Sequence, residues 1–178
     1  AELAGLQPGG IHRFMGPNLE EAWAATRAFM ERCDIPPFMT ADLEGGGNHA
    51  GPMTPITNQL GLAAANDLDL SSAAVAAMAK EASALGINWT FTPCVDINHN
   101  TGSAIVGTRS YGSDHGTILR QAIAHMQAMQ SNGIAATAKH WPGEGMDWRD
   151  QHLVTTINPL DRKGWEESFG TFYRNLIG

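Results

Sequence analysis

The sequence predicts an α/β fold built on a parallel sheet. Two observations carry this. Apolar, strand-like runs alternate with helical patterns, in the order strand, polar loop, helix, about four times. Polar residues cluster at the C-terminal end of each run, where (β/α)8 barrels and doubly wound sheets build their sites. The pattern alone does not separate those two architectures. A complete (β/α)8 barrel takes about 250 residues, and 178 residues supply about four β/α units. The chain is therefore either a partial barrel or a small open sheet.

The elements follow in order. Ile11 to Met15 reads as a short strand. Asn18 caps a helix through Cys33, with Glu20 and Glu21 in the first turn, where the helix dipole favours acids. A second strand covers 36–42 and runs into Asp42-Leu43-Glu44-Gly45-Gly46-Gly47. A helix is expected from Pro55 to Ala65, and a second, Ala-rich one capped by Ser71 and stopped at Gly86. The third strand, 87–96, ends at Asp96-Ile97-Asn98. Residues 116–132 form a helix that Gly133 terminates, with Met126 and Met129 in its core face. Ile134 to Ala138 is the fourth strand, ending at Lys139-His140, and a last helix spans 161–177.

Composition narrows the function. A net charge of -7 argues against a nucleic-acid surface, which needs clustered Lys and Arg. No apolar run reaches the roughly 20 residues of a membrane span. The first residues show no basic segment followed by an apolar one, so no secretory signal is read there. Cys33 and Cys94 lack metal spacing and read as reduced thiols, which points to a cytoplasmic location. No cofactor is expected: the glycines after Asp42 lack both the Gly-Lys-Ser/Thr sequel and the GxGxxG spacing.

Three stretches carry chemistry. Asp42-Leu43-Glu44-Gly45-Gly46 reads either as a carboxylate aimed into a sugar site or as an ordinary acidic turn. Arg109 offers a fork for two ligand oxygens, though a surface Arg is the commoner case. Lys139-His140-Trp141-Pro142-Gly143-Glu144-Gly145, followed by Asp150-Gln151-His152, places a cation, two histidines and several carboxylates on a Gly/Pro-punctuated loop after a strand. His140, Glu144, Asp150 and His152 could ligate a metal, but the spacing fits no HExxH or facial triad, so no metal is assigned.

Taken together, DLEGG at 42–46, PCVDIN at 93–98, TRSYGSD at 108–114, KHWPGEG at 139–145 and DQH at 150–152 resemble glycoside hydrolase family 3, in its bacterial β-N-acetylglucosaminidase branch. The motifs keep the family's order over nearly the whole chain. The resemblance implies residues 1–178 to be the N-terminal part of a (β/α)8 barrel, stopping before the strand that bears the family's nucleophilic Asp. It implies a retaining glycosidase acting on terminal β-linked N-acetylglucosamine or a related sugar. Asp42, Arg109, Lys139 and His140 match sugar-binding positions, His152 the acid/base and Asp150 its partner. Cis peptide bonds are implied near Lys139-His140 and Trp141-Pro142. Glu144 stands where the family often has His or Gln, and Gln151 where it has Ser. Two other functions are weighed: a phosphorylase of the same branch, and a non-catalytic sugar-binding protein or inactive fragment. The open sheet edges of a half-barrel call for the missing C-terminal half or a homodimer.

Overall fold

A computed structural model describes residues 3–13, 18–45 and 53–177. Three strands form a parallel sheet in the order β1 (Gly10–His12), β2 (Phe38–Ala41), β3 (Trp89–Thr90). The register pairs Ile11 with Met39 and Ala41 with Thr90. A fourth extended segment lies beyond β3, with parallel bridges at Trp89–Ala135 and Cys94–Lys139. All four run the same way and neighbour one another in chain order, as one side of a barrel requires.

The strands are shorter than their apolar runs. Pro36 and Pro37 have no N–H to donate, so the ladder of β2 opens with Phe38 N–H donating to the Gly9 carbonyl at 2.9 Å. Pro93 interrupts β3 in the same way. The Thr92 and Pro93 carbonyls still accept the Thr137 and Lys139 N–H groups, at 2.8 and 3.1 Å, and N–H donation returns where Val95 N–H donates to the Lys139 carbonyl at 2.7 Å. Phe14 and Met15, the end of the first expected strand, lie outside the described residues.

The helices are α1 (Leu19–Arg32), α2 (Gln59–Ala65), α3 (Leu68–Ala84), α4 (His115–Gln130), α5 (Arg162–Glu167) and α6 (Phe169–Ile177). Asn18 caps α1, its side chain accepting from Glu20 and Glu21 N–H. α2 starts at Gln59 rather than Pro55 because Asn58 supplies the cap. The residues before it pass close to β2's loop: a Cβ on Gly45 would lie 2.3 Å from the Thr57 carbonyl oxygen, and Gly45 has φ +76°. Only glycine fits there.

Asp67, not Ser71, caps α3. Its carboxylate accepts from Leu70 N–H, while the Ser71 hydroxyl, inside the first turn, donates back to the Asp67 carbonyl and to the Leu62 carbonyl of α2. The expected single helix at 161–177 is two. The Ser168 hydroxyl donates to the Gly164 carbonyl at 2.6 Å, and the backbone leaves helical geometry at that residue. Here a side chain competes with the helix ladder.

The core lies between the sheet and its helices. Met39, Ile87, Val95 and Ile134 from the sheet side meet Val75, Met78, Ile118, Met129, Phe169 and Phe172 from the helices. Met126 is only half-buried. No helix among the described residues is long and apolar enough to cross a membrane. Ile118 is fully buried, so Ile118→Ala should cost about 2–5 kcal/mol, read as a lowered urea midpoint at unchanged slope. A loss under about 0.5 kcal/mol would show that this face is not packed.

Candidate active site

The site forms where the strands end. Asp42 follows β2 directly, and Glu44 stands two residues on, past the fully buried Leu43. Asp96 ends the extended run after β3, and Lys139 and His140 end the fourth segment. Arg109 sits in a short 3-10 turn, Gly107–Arg109, before α4.

Glu44 is the hub. Its side chain is 4% exposed and meets two cations. Arg109 Nε and Nη2 donate to its two oxygens, each at 2.7 Å, in the forked geometry that suits a carboxylate. Lys139 Nζ lies 2.5 Å from Oε1 and bridges on to Asp42 Oδ1 at 3.0 Å. Burial pushes the Glu44 carboxyl up, but the Arg109 hydrogen bond and the Lys139 charge outweigh it and hold it at about 2. Burial works against the Lys139 ammonium too, and the anions around it more than offset this, so its pKa lies above the ordinary value. Lys139 stays charged. His12 Nε2 stands 3.6 Å from Asp42 Oδ2, on the other side of that carboxylate.

Asp96 anchors His140. It is 1% exposed, and Oδ2 lies 2.5 Å from His140 Nδ1. Oδ1 accepts the backbone N–H groups of His140 and Glu144, at 3.1 and 2.8 Å. His140 Nε2 faces Arg109 Nη2 at 3.4 Å. A guanidinium only donates, so Nε2 carries the lone pair and the proton sits on Nδ1, toward Asp96. The imidazole is thereby oriented. The peptide bonds Lys139-His140 and Trp141-Pro142 are cis, as the family resemblance implies, and Thr92-Pro93 is cis as well.

Cys94, Asp96 and His140 place ligand-type atoms within 4.8 Å of one another. The surroundings disfavour a cation. Burial pushes the Cys94 thiol well up, so it stays neutral, and Lys139 and Arg109 already supply two positive charges alongside.

The dyad forms on a separate, more exposed loop. Asp150 Oδ1 accepts from His152 Nδ1 at 2.7 Å and from His152 N–H at 2.8 Å. These bonds, the backbone one first, hold the Asp150 carboxyl below the usual range, and the Arg109 charge adds to the effect. The dyad thus lies within electrostatic reach of the ion-pair cluster, though among the described residues no hydrogen bond joins the two. With Nδ1 engaged, Nε2 is the ring atom available for proton transfer.

The structure therefore joins Asp42, Arg109, Lys139 and His140 in one network and sets Asp150 and His152 apart from it as a pair. Sequence reasoning did not single out Glu44, Asp96 or His12. Glu44 and Asp96 stand in motifs already read, and the signal was their position: each is an acid within two residues of the end of a strand expected from sequence, 36–42 or 87–96. Gly145 shows how tightly the loops meet: a Cβ there would lie 2.0 Å from the Ile97 carbonyl oxygen, at φ +108°.

A parallel sheet flanked by helices, with charged groups gathered at the C-terminal ends of its strands, defines a TIM-barrel-like α/β domain. The sequence model of the glycosyl hydrolase family 3 N terminal domain matches residues 3–178, and the chain belongs to that family. It is 37% identical over 174 residues to a beta-N-acetylglucosaminidase/beta-glucosidase of Cellulomonas fimi, covering 97% of this chain and 31% of that protein. Among solved structures, it superposes on the beta-glucoside phosphorylase BglX with a TM-score of 0.92 at 32% identity, over 96% of this chain and 31% of that one. A glycoside hydrolase family 3 beta-N-acetylglucosaminidase from Paenibacillus sp. str. FPU-7 gives a TM-score of 0.88 at 29% identity, over 95% and 34%. The chain spans about a third of the length of these relatives.

The depressed Glu44 sets a pH dependence. Its stabilisation is complete above the ordinary carboxyl value of 4.5 and is lost as pH falls through about 2. Stability should therefore drop by a few kcal/mol between about pH 4.5 and 2. Glu44→Gln should be less stable at neutral pH and flatter across that window, as followed by urea unfolding. An unchanged acid limb in the variant would remove Glu44 from the hub role.

Proposed function

We propose that the protein to which this chain belongs removes a terminal β-linked N-acetylglucosamine or a related sugar with retention of configuration. The observation that carries this is the Asp150–His152 pair beside the Glu44-centred cluster. Retaining hydrolysis needs a nucleophile on one face of the sugar and, on the other, a proton donor that later acts as base. His152 suits that double role because an ordinary imidazole titrates near working pH. Asp150 orients the ring through its bond with Nδ1. Asp42, Lys139, Arg109 and His140 hold the sugar hydroxyls, with Lys139 and Asp42 giving a donor and an acceptor side by side. The nucleophile comes from a later strand, beyond these residues, as the family resemblance implies. The name of the Cellulomonas fimi relative supports the sugar class.

A second reading is phosphorolysis. The likeness to a beta-glucoside phosphorylase favours it. A neutral histidine, unlike a glutamate, does not repel an incoming phosphate.

The test uses the full-length protein with aryl β-N-acetylglucosaminides. His152→Ala should slow a substrate with a poor leaving group by about 10²–10⁴ and a good one far less, because a good leaving group needs little protonation. Equal losses would remove His152 from the acid role. Added inorganic phosphate should leave the sugar product unphosphorylated; accumulation of a sugar 1-phosphate would decide for the second reading. The 178-residue chain alone should give no turnover.

A further inference from the structure

The dyad loop is closed at its base by contacts that the proposed chemistry does not use. Asp147 stands just before the dyad. Its Oδ2 accepts the Ile157 N–H at 2.8 Å, from the far limb of the loop. Its oxygens also accept Arg149 Nε at 2.9 and 3.0 Å and the Arg149 N–H at 2.9 Å, and Arg149 Nη2 completes the fork. These bonds, the Arg149 side chain first, hold the carboxyl well below the usual range, so it remains an anion and an acceptor.

Other bonds brace the same base. The Thr156 hydroxyl donates to Glu144 Oε1 at 2.9 Å, and Asn158 Nδ2 donates to the Gly143 carbonyl at 3.1 Å. From outside, Asn100 donates to the Gly145 carbonyl through its backbone N–H and to the Met146 carbonyl through Nδ2, at 2.8 and 3.3 Å. Ala104 N–H reaches the Trp148 carbonyl at 3.1 Å. Both limbs are thus pinned, and residues 150–152 form the tip.

We propose that Asp147 is a positioning residue, whose carboxylate ties the two limbs of loop 143–158 together and so sets where the His152 dyad stands over the sugar site. The inference rests on the reading of His152 as the acid. The dyad's placement comes from its loop base, because among the described residues no hydrogen bond ties the dyad to the cluster below it. Of the braces across the two limbs, Asp147–Ile157 encloses the dyad within the shortest stretch of chain. A proton donor must come within hydrogen-bond reach of the leaving oxygen, and a displacement of about 1 Å can cost about 10²-fold. Arg149 holds the same carboxylate from its own limb, through Nε, Nη2 and its backbone N–H.

The experiment compares Asp147→Ala, Asp147→Asn and Arg149→Met in the full-length protein by hydrogen–deuterium exchange and by turnover. Asp147→Ala should speed exchange at Ile157 and its neighbours at least about tenfold, the effect of losing a hydrogen bond to a charged group. Asp147→Asn keeps an acceptor for Ile157 and should recover part of this. Arg149→Met should change exchange at Ile157 by less than about threefold, since it leaves that bond in place. With a poor leaving group, kcat should fall at least about tenfold in Asp147→Ala, with KM nearly unchanged and a smaller loss for a good leaving group. Unchanged exchange would overturn the tie. Faster exchange with equal losses for both leaving groups, or with none, would overturn the positioning role. If His152→Ala shows no leaving-group dependence, the acid assignment fails by itself, and the exchange data still decide whether Asp147 ties the loop.

Discussion

Glu44 brings a negative charge into a nearly buried position after β2, and such a charge persists there only because two cations surround it. Removing a carboxylate from water costs several kcal/mol unless it is paired and hydrogen-bonded. Arg109 and Lys139 meet that cost from two directions, one from the turn before α4 and one from the fourth extended segment. Each cation is in turn placed by a different β/α unit. The hub therefore works as a clamp between units distant in sequence. It also leaves Lys139 charged beside Asp42 at the exposed edge of the cluster, which sets a donor and an acceptor side by side, as the proposed sugar site requires.

Asp96 does the same for the neighbouring unit. It takes two backbone N–H groups and one imidazole proton, so it fixes both the bend after Lys139 and the tautomer of His140. The start of the dyad loop, Glu144, is tied to that same carboxylate. The rigid part of the site and the root of its more exposed part thus share one anchor. That division suits the acid proposed for His152, which would serve both in protonating a leaving group and in activating water.

Much of this was legible in the sequence. The alternation of apolar runs and helical patterns gave four parallel units in chain order, and Asn18 marked the start of α1 correctly. The misses have local causes. Ser71 lost the α3 cap to Asp67 because both sit within one turn and only geometry chooses between them. Ser168 split the last helix, since a hydroxyl inside an otherwise good helical pattern looks harmless until it bonds the backbone. Of the candidate site residues, Asp42, Arg109, Lys139 and His140 come together in one network, while Glu44 and Asp96, which share it, were not singled out. Side-chain direction after a strand end is set by tertiary packing, and sequence alone does not say which of two nearby acids turns inward.

The central claim is that His152, oriented by Asp150 over the Glu44-centred cluster, is the acid/base of a retaining enzyme. Azide tests it most directly. A small anion attacks the glycosyl-enzyme without needing a base, so it bypasses the missing imidazole in the second step. The account predicts that His152→Ala in the full-length protein, with a good leaving group, is accelerated by azide and yields the β-glycosyl azide. No acceleration, or an azide of inverted configuration, would contradict it.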